Sequence, residues 1–482
     1  MDDRPAGALA ALLLEHPFAD DVPLLHTANQ SMTAGEARAA ARAIAEQLVA
    51  AGVEPGAAVA VQLPNDISAV TTMFGVWAAG CVFVPVNPRL PERERETALD
   101  ATEPAALITA GGLERLDHSR IHGDDVGFVL WTSGTTGRPK PILHTHTAYL
   151  ELLDRVLGPL RGGSADAQRD TARTPTPNLI PVALSLNAGI YNVLFGLRAG
   201  AAIVIMDGFT PATFAELVQR FAIRSTVLPP AAIAMLNDAD DVEDLAPLRY
   251  VRSITAPLSP LAARRFVDRF GVSVLNGYGQ AEIGEVIGWT AADAREHPDK
   301  VGAVGRPHPG VAIRIASDDG TEAPAGVVGA LLVRPPSMAA GYASGDELDD
   351  RVDASGYVNT GDLARVDEEG FVWIEGRAGD LINRGGNKVF PEHVEEVLRL
   401  APEVVDAAVI GRADERLGEV PVAFVVEAAP ISDDALAALC REHLVPYKVP
   451  VAFRRVDTLP RNEAGKLRRA EISAMEQASP TA

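Results

Sequence analysis

The sequence predicts an α/β protein in two domains. The first is large, built of parallel-rich α/β subdomains with a small antiparallel barrel; the second is a small C-terminal α+β domain. Three observations predict this. Short apolar runs alternate with helical-period stretches through most of the 482 residues, the mark of a mainly parallel sheet covered by helices. From about Val311 short strands are separated by Asp/Gly turns, Ser317–Gly320 and Asp367–Gly370, as in a small antiparallel sheet or barrel. After Gly376-Arg377-Ala378-Gly379-Asp380 helices return for roughly 100 residues, an ordinary size for a unit with its own core. The boundary falls near Gly379, giving domains 1–378 and 379–482.

The elements follow in order. Ala6–Leu14 reads as a first helix, since the N-terminus lacks the basic start of a signal peptide. Thr33 with Glu36 forms a capping box for a helix ending before Gly52. Ala58–Leu63 and Val82–Val86 are strands flanking the helix Ile67–Ala79. Phe128–Trp131 is a short buried strand. Strands Ala202–Met206, Ser225–Leu228, Tyr250–Ile254 and Ser273–Leu275 alternate with helices opened by Thr210-Pro211 and Ser259-Pro260, the second closed by Gly271. Gly162–Thr174 reads as a mobile polar loop. The C-terminal part reads as helix Pro391–Leu400, strands Val405–Ile410 and Val420–Val426, helix Ser432–His443, strand Ala452–Val456 and a loose tail, Gln477–Ala482.

Hydrophobic residues make up 47% and charged residues 22%, the balance of a folded soluble protein. The net charge of −22 argues against nucleic acid and anionic membrane as partners. No apolar run reaches the ~18 residues of a membrane span. Cys81 and Cys440 lie in apolar or helical contexts and read as buried thiols in a reducing cytoplasm.

Chemistry concentrates first at Trp131–Lys140. Thr132, Ser133, Thr135 and Thr136 surround Gly134 and Gly137, and Arg138 and Lys140 follow. Glycines let backbone N–H groups approach an anion, hydroxyls donate and cations neutralise, so a polyphosphate is the expected ligand. Arg138 and Pro139 separate Gly137 from Lys140, so this is no Walker A motif. In Asn276–Glu282, Tyr278 between Gly277 and Gly279 can lay its ring on a flat base. Glu282 offers magnesium a hard oxygen, or is simply a solvated loop acid. In Asn359–Leu363, Asp362 can accept both hydroxyls of a ribose diol, or close an Asx turn. Gly385 and Gly386 read as a turn before a helix. Lys466, in Pro460–Arg469, could place an ammonium between two anions, or be a surface lysine in a basic tail.

Taken together and in this order, Trp131–Lys140, Tyr278-Gly-Gln-Ala-Glu282, Asn359–Leu363 and Pro460–Arg469 resemble the motifs of the adenylate-forming (ANL) superfamily. Its members are acyl-CoA synthetases, peptide-synthetase adenylation domains and beetle luciferases. The resemblance implies ATP/AMP, Mg²⁺ and CoA as cofactors and a small carboxylic acid, or its acyl-adenylate, as substrate. Thr132–Gly137 and Lys140 would hold phosphates. Tyr278, Gly279 and Ala256 would flank adenine, while Asp362 and Arg377 would hold the ribose. Glu282 would bind the metal and Lys466 would bridge acyl carboxylate and α-phosphate. Gly385 and Gly386 would line a CoA tunnel. Leu186, Asn187, Gly189, Thr255 and Gly277 would line the acyl pocket, and Gly379 would be the hinge of a mobile C-terminal lid. The small residues Ala188 and Gly189 suggest a roomy pocket. The oligomeric state is left open, a homodimer among the options.

Four positions depart from the family pattern. Ala281 stands where Thr or Ser precedes the glutamate. Ile254-Thr255-Ala256-Pro257 replaces Gly-Gly-Ala-Pro. Ser185–Gly189 lacks the usual His or aromatic residue, and the hinge is Gly379 rather than Asp or Lys. Losing one charge-assisted hydrogen bond, worth about 1.5–3 kcal/mol, slows a step about 10–100-fold without abolishing it. The expectation is an acid–thiol ligase working through an acyl-adenylate. Two alternatives stay open: an enzyme performing only the thiolation half-reaction, and a stand-alone adenylation enzyme loading a carrier protein in trans.

Overall fold

The computed structural model describes residues 7–117, 119–132, 140–160, 176–254, 256, 258–342, 351–462 and 465–478. The predicted alternation is present. A seven-stranded sheet is built on parallel strands Ala58–Gln62, Val82–Pro85, Ala106–Thr109 and Val126–Thr132, with antiparallel edges. A nine-stranded sheet runs parallel from Pro23–His26 to Ser273–Gln280 and ends antiparallel at Gly284–Gly288 and Arg306–Pro307.

Strand residues alternate between two faces. Val59, Val61, Phe128 and Leu130 of one sheet, and Ile180, Ile203, Ile205 and Val227 of the other, enter one shared core. Between them lie helices Ala34–Ala50, Ile67–Ala78 and Asn187–Arg198. The intervening residues Ala58, Ala60 and Val129, and Leu179, Val204 and Leu228, enter separate cores on the outer faces. The capping box at Thr33 is formed, with Thr33 Oγ1 accepting from the Glu36 N–H at 3.2 Å. Gly271, at φ +65°, closes the helix Pro260–Phe270.

Strands Ala312–Ala316, Gly329–Arg334, Val358–Val366 and Val372–Arg377 form an antiparallel sheet whose edge strands do not pair, so among the described residues the expected barrel is an open four-stranded sheet. Beyond Ile382 a five-stranded sheet and three helices enclose a core of their own. Its hairpin is longer than expected, Val404–Asp414 against Gly418–Glu427. The helix Arg469–Ala478 occupies the start of the supposed loose tail. Gly162–Thr174 lies outside the described residues. Cys81 and Cys440 are buried thiols outside any disulfide. Among the described residues no helix is long and apolar enough to cross a membrane.

Candidate active site

Strand Ser273–Gln280 differs from the expected Ser273–Leu275. It pairs with Tyr250–Ser253 as far as Asn276, then continues through both glycines against Gly284–Gly288. A Cβ on Gly279 would stand 2.2 Å from the Gly284 carbonyl, so only glycine lets this return strand approach. Tyr278 and Gln280, two apart, both reach the antiparallel-sheet strand Val358–Val366.

That strand presents Asp362, which is 6% exposed. Its Oδ2 accepts from Tyr278 Oη at 2.5 Å and from Gln280 Nε2 at 2.9 Å, and Arg377 Nε lies 3.1 Å from its Oδ1. A carboxylate offers about four acceptor positions. Three are engaged, so with these partners in place Asp362 can accept one further hydroxyl, not the two of a diol. Burial first, and then Asp362, raise the pKa of Tyr278, keeping the phenol a donor.

Glu282 is buried rather than solvated. Its Oε1 receives Arg351 Nη1 at 2.9 Å, and Arg351 Nη2 donates to Gln280 Oε1 at 2.8 Å. Arg351 carried no sequence signal, because its partners lie about 70 residues away in the chain.

Lys466 faces this group. It rides on a loop in which its own N–H donates to Asn462 Oδ1 at 2.9 Å, with Gly465 at φ +77°. Burial and the neighbouring Arg377 push its ammonium below the ordinary lysine range, and Asp362 and Glu282 pull the other way. Three residues on, Arg469 ties the segment to the start of the C-terminal unit: Nε is 3.3 Å from Asp380 Oδ2, Nη2 is 3.0 Å from Glu392 and Nη1 is 2.6 Å from Glu395.

The other expected residues divide. Thr132 and Lys140 are cross-strand partners at the mouth of a hairpin. Ser133, Gly134, Thr135, Thr136, Gly137 and Arg138, and also Thr255, lie outside the described residues. Ala256 sits in a bend after Tyr250–Ser253. Gly385 and Gly386, at φ +58° and +85°, form the two-residue loop between Ile382–Arg384 and Asn387–Val389. Both positive angles are what such a hairpin requires, so these glycines have a backbone reason of their own. Gly379 lies in the single turn Ala378–Asp380, with open space where a side chain would go.

Of the residues expected to line an acyl pocket, Leu186 precedes the helix Asn187–Arg198, and Asn187 Oδ1 accepts from Tyr149 Oη at 2.8 Å. Gly189 does not signal a roomy pocket. A Cβ there would stand 2.2 Å from the Ala183 carbonyl, so neighbouring backbone uses the space. Ala188 is likewise packed in the main core. Gly277 leaves room for Glu285, whose Oε1 lies 3.3 Å from where a Cβ would be.

Among the described residues no group of three or more His, Cys, Asp or Glu could hold a metal by itself. A lone buried carboxylate still fits magnesium carried in by nucleotide phosphates, because that ion commonly takes one or two protein carboxylates.

An α/β body that presents Tyr278, Glu282 and Asp362 to Lys466 of a C-terminal unit is the arrangement of an adenylate-forming enzyme. Residues 16–122 and 110–343 match the AMP-binding enzyme family, and 393–466 match the AMP-binding enzyme C-terminal domain. The chain belongs to this family and so to the ANL superfamily. At family level it is an AMP-forming ligase. It is 30% identical over 463 residues to feruloyl-CoA synthase of an Amycolatopsis species, covering 89% of this chain and 91% of the relative. It is 28% identical over 517 residues to sulfoacetate–CoA ligase of Cupriavidus necator, covering 98% and 97%. Among solved structures, amide bond synthetase McbA of Marinactinospora thermotolerans superposes with a TM-score of 0.83 at 27% identity, covering 98% and 100%.

Proposed function

We propose that this protein is an acid–thiol ligase that converts a carboxylic acid, ATP and CoA to acyl-CoA, AMP and pyrophosphate. The observation that carries the proposal is Lys466, held beside Asp362 and Glu282 by a loop of the C-terminal unit. An ammonium there can lie between an incoming carboxylate and the α-phosphate, two anions that otherwise repel. The acid oxygen attacks the α-phosphorus, the bond to the β-phosphate oxygen breaks and pyrophosphate leaves. Asp362, oriented by Tyr278, Gln280 and Arg377, receives a ribose hydroxyl. Magnesium, held by Glu282 and the nucleotide phosphates, would supply positive charge to the leaving group. For the second step the lid turns at Gly379, Lys466 withdraws, and the CoA thiol displaces AMP from the acyl carbon.

The names of the relatives support ligation to CoA in general, across acids as unlike as ferulate and sulfoacetate. Likeness to an amide bond synthetase favours a second reading, in which an amine rather than CoA takes the acyl group. The test is a panel of acids with ATP and Mg²⁺, offered CoA or amines, read by pyrophosphate release and product mass. Thioester formation is expected; amide formation without thioester would establish the second reading instead.

A further inference from the structure

We propose that the acyl end of this site is built for an acid carrying a second anionic group, a carboxylate or sulfonate, at its far end. This rests on the ligase reading above. The nine-stranded sheet is apolar where it faces the helix Asn187–Arg198, at Ile203, Ile205, Ile180 and Val227. One strand further, the register partner of Val227 is Arg252. The apolar wall gives way to charge at that point.

Arg252 pairs with Glu285 across the space that Gly277 leaves open, and His308 Nε2 lies 3.2 Å from the same carboxylate oxygen. Burial disfavours charge on both members of the pair. Their mutual attraction outweighs it, raising Arg252 and lowering Glu285, so both stay ionised. Glu285 is therefore already neutralised and is no receptor for a cation.

Tyr191, on the helix, faces this pair. Its hydroxyl is buried; the oxygen is close enough to Arg252 to accept from the guanidinium, and no acceptor faces the O–H. That contact uses only an oxygen lone pair, since a guanidinium has no acceptor, and the O–H remains unused. Arg155, from the helix His146–Leu160, approaches the same phenol. Its Nη2 donates to Ser337 Oγ at 2.5 Å, while its Nη1 is buried without a partner. Glu151, one turn earlier, attracts Arg155 electrostatically but from a position exposed to solvent.

Two guanidiniums thus meet one internal carboxylate, and two buried donors lack acceptors. Buried donors are nearly always satisfied, and the group that satisfies these is an acceptor with negative charge. An alkyl end would leave them unpaired, and an ammonium would be repelled. The position suits the far end of an acyl group, because Gly277 adjoins Tyr278 of the nucleotide site.

The probes are acids paired so that a terminal methyl becomes a carboxylate: butanoate with succinate, hexanoate with adipate. Their non-reactive acylsulfamoyl adenosines are measured by calorimetry, and the acids themselves by pyrophosphate exchange. The carboxylate member of at least one pair is expected to bind about tenfold or more tightly than its partner. Tyr191→Phe, which removes only the hydroxyl, and Arg155→Met should each collapse that ratio. Methyl members binding equally or better in both pairs, or an unchanged ratio in Tyr191→Phe, would overturn the proposal. Preference among the mimics with no exchange from any acid would remove the ligase reading and keep the anion site. Exchange with methyl-ended acids alone would do the reverse.

Discussion

Tyr278 and Asp362 are joined by a 2.5 Å hydrogen bond between the nine-stranded sheet and the four-stranded antiparallel sheet. The ring expected to face adenine and the carboxylate expected to face ribose are thereby one unit. Gln280 completes it by donating to both oxygens, at 3.3 Å to Tyr278 and 2.9 Å to Asp362.

Asp362→Asn should weaken AMP binding about 10–100-fold, because a charged acceptor is worth about 1.5–3 kcal/mol per hydrogen bond. Tyr278→Phe keeps the ring and frees an acceptor position on Asp362, so it should cost less than about tenfold. Because the two groups touch, their effects should be non-additive in the double variant. Calorimetry with AMP settles it: equal losses in both single variants would separate Asp362 from the ribose.

Lys466→Ala should cripple acyl-AMP formation yet spare thioester formation from supplied acyl-AMP. Adenylation needs the ammonium, so activity should fall as pH rises through the lysine pKa. Burial and Arg377 lower that value, placing the alkaline limb below the ordinary 10.5. Equal losses in both half-reactions would remove the bridging role.

The α/β class, the antiparallel sheet after Val311 and most helix starts were legible because periodicity and capping act over a few residues. The group Tyr278, Glu282, Asp362, Arg377 and Lys466 was legible only through its motifs. No local rule brings residue 466 to residue 282. Arg351, Arg252 and His308 were not legible, because each gains its meaning from partners on other strands. Gly189 misled for the same reason: its smallness serves the backbone at Ala183, which sequence does not display.

Gly385→Leu should block thioester formation while adenylation continues, if the hairpin lines the CoA path. The φ of +58° adds a strain of about 1–2 kcal/mol for any side chain. Gly386→Ala is the control: it also sits at positive φ, with nothing within 4 Å of a new Cβ. Thioester loss in Gly385→Leu alone supports a filled path; equal loss in both points to hairpin strain.

Acid should destabilise the fold through His144, which burial pushes down to about 4 from 6.5. Between these values the unfolded chain binds the extra proton, so stability falls as pH drops from about 6.5 and levels off near 4. The full effect is about 3 kcal/mol. His144 stacks on Phe128 with ring centroids 5.2 Å apart, and Phe should occupy the same place. Urea unfolding at pH 7, 5.5 and 4 should show a shallower acid loss in His144→Phe, and parallel curves would contradict it. His146, also near 4, adds a similar term to both proteins.

The last prediction concerns the departures from the family pattern. They could mark a weakened adenylation half-reaction or a pocket rebuilt for one acid. Ile254, the residue after the strand Tyr250–Ser253, packs against the main core that the helix Asn187–Arg198 shares, and so lies toward the proposed acyl end. Ala281 packs against Ile142, Met338 and Ala339, an apolar setting. Neither placement disturbs Lys466, Glu282 or Asp362. We therefore expect the best acid to support adenylation at least as fast as thiolation of its acyl-AMP. Ala281→Thr should raise pyrophosphate exchange less than about tenfold, because its added methyl must enter that apolar contact, offsetting the gain of one hydrogen bond. Both half-reactions are measured with the same acid. Ready conversion of supplied acyl-AMP, with no acid supporting exchange, would show instead that the chain performs thiolation alone. A large gain from Ala281→Thr would locate the deficit at the missing hydroxyl.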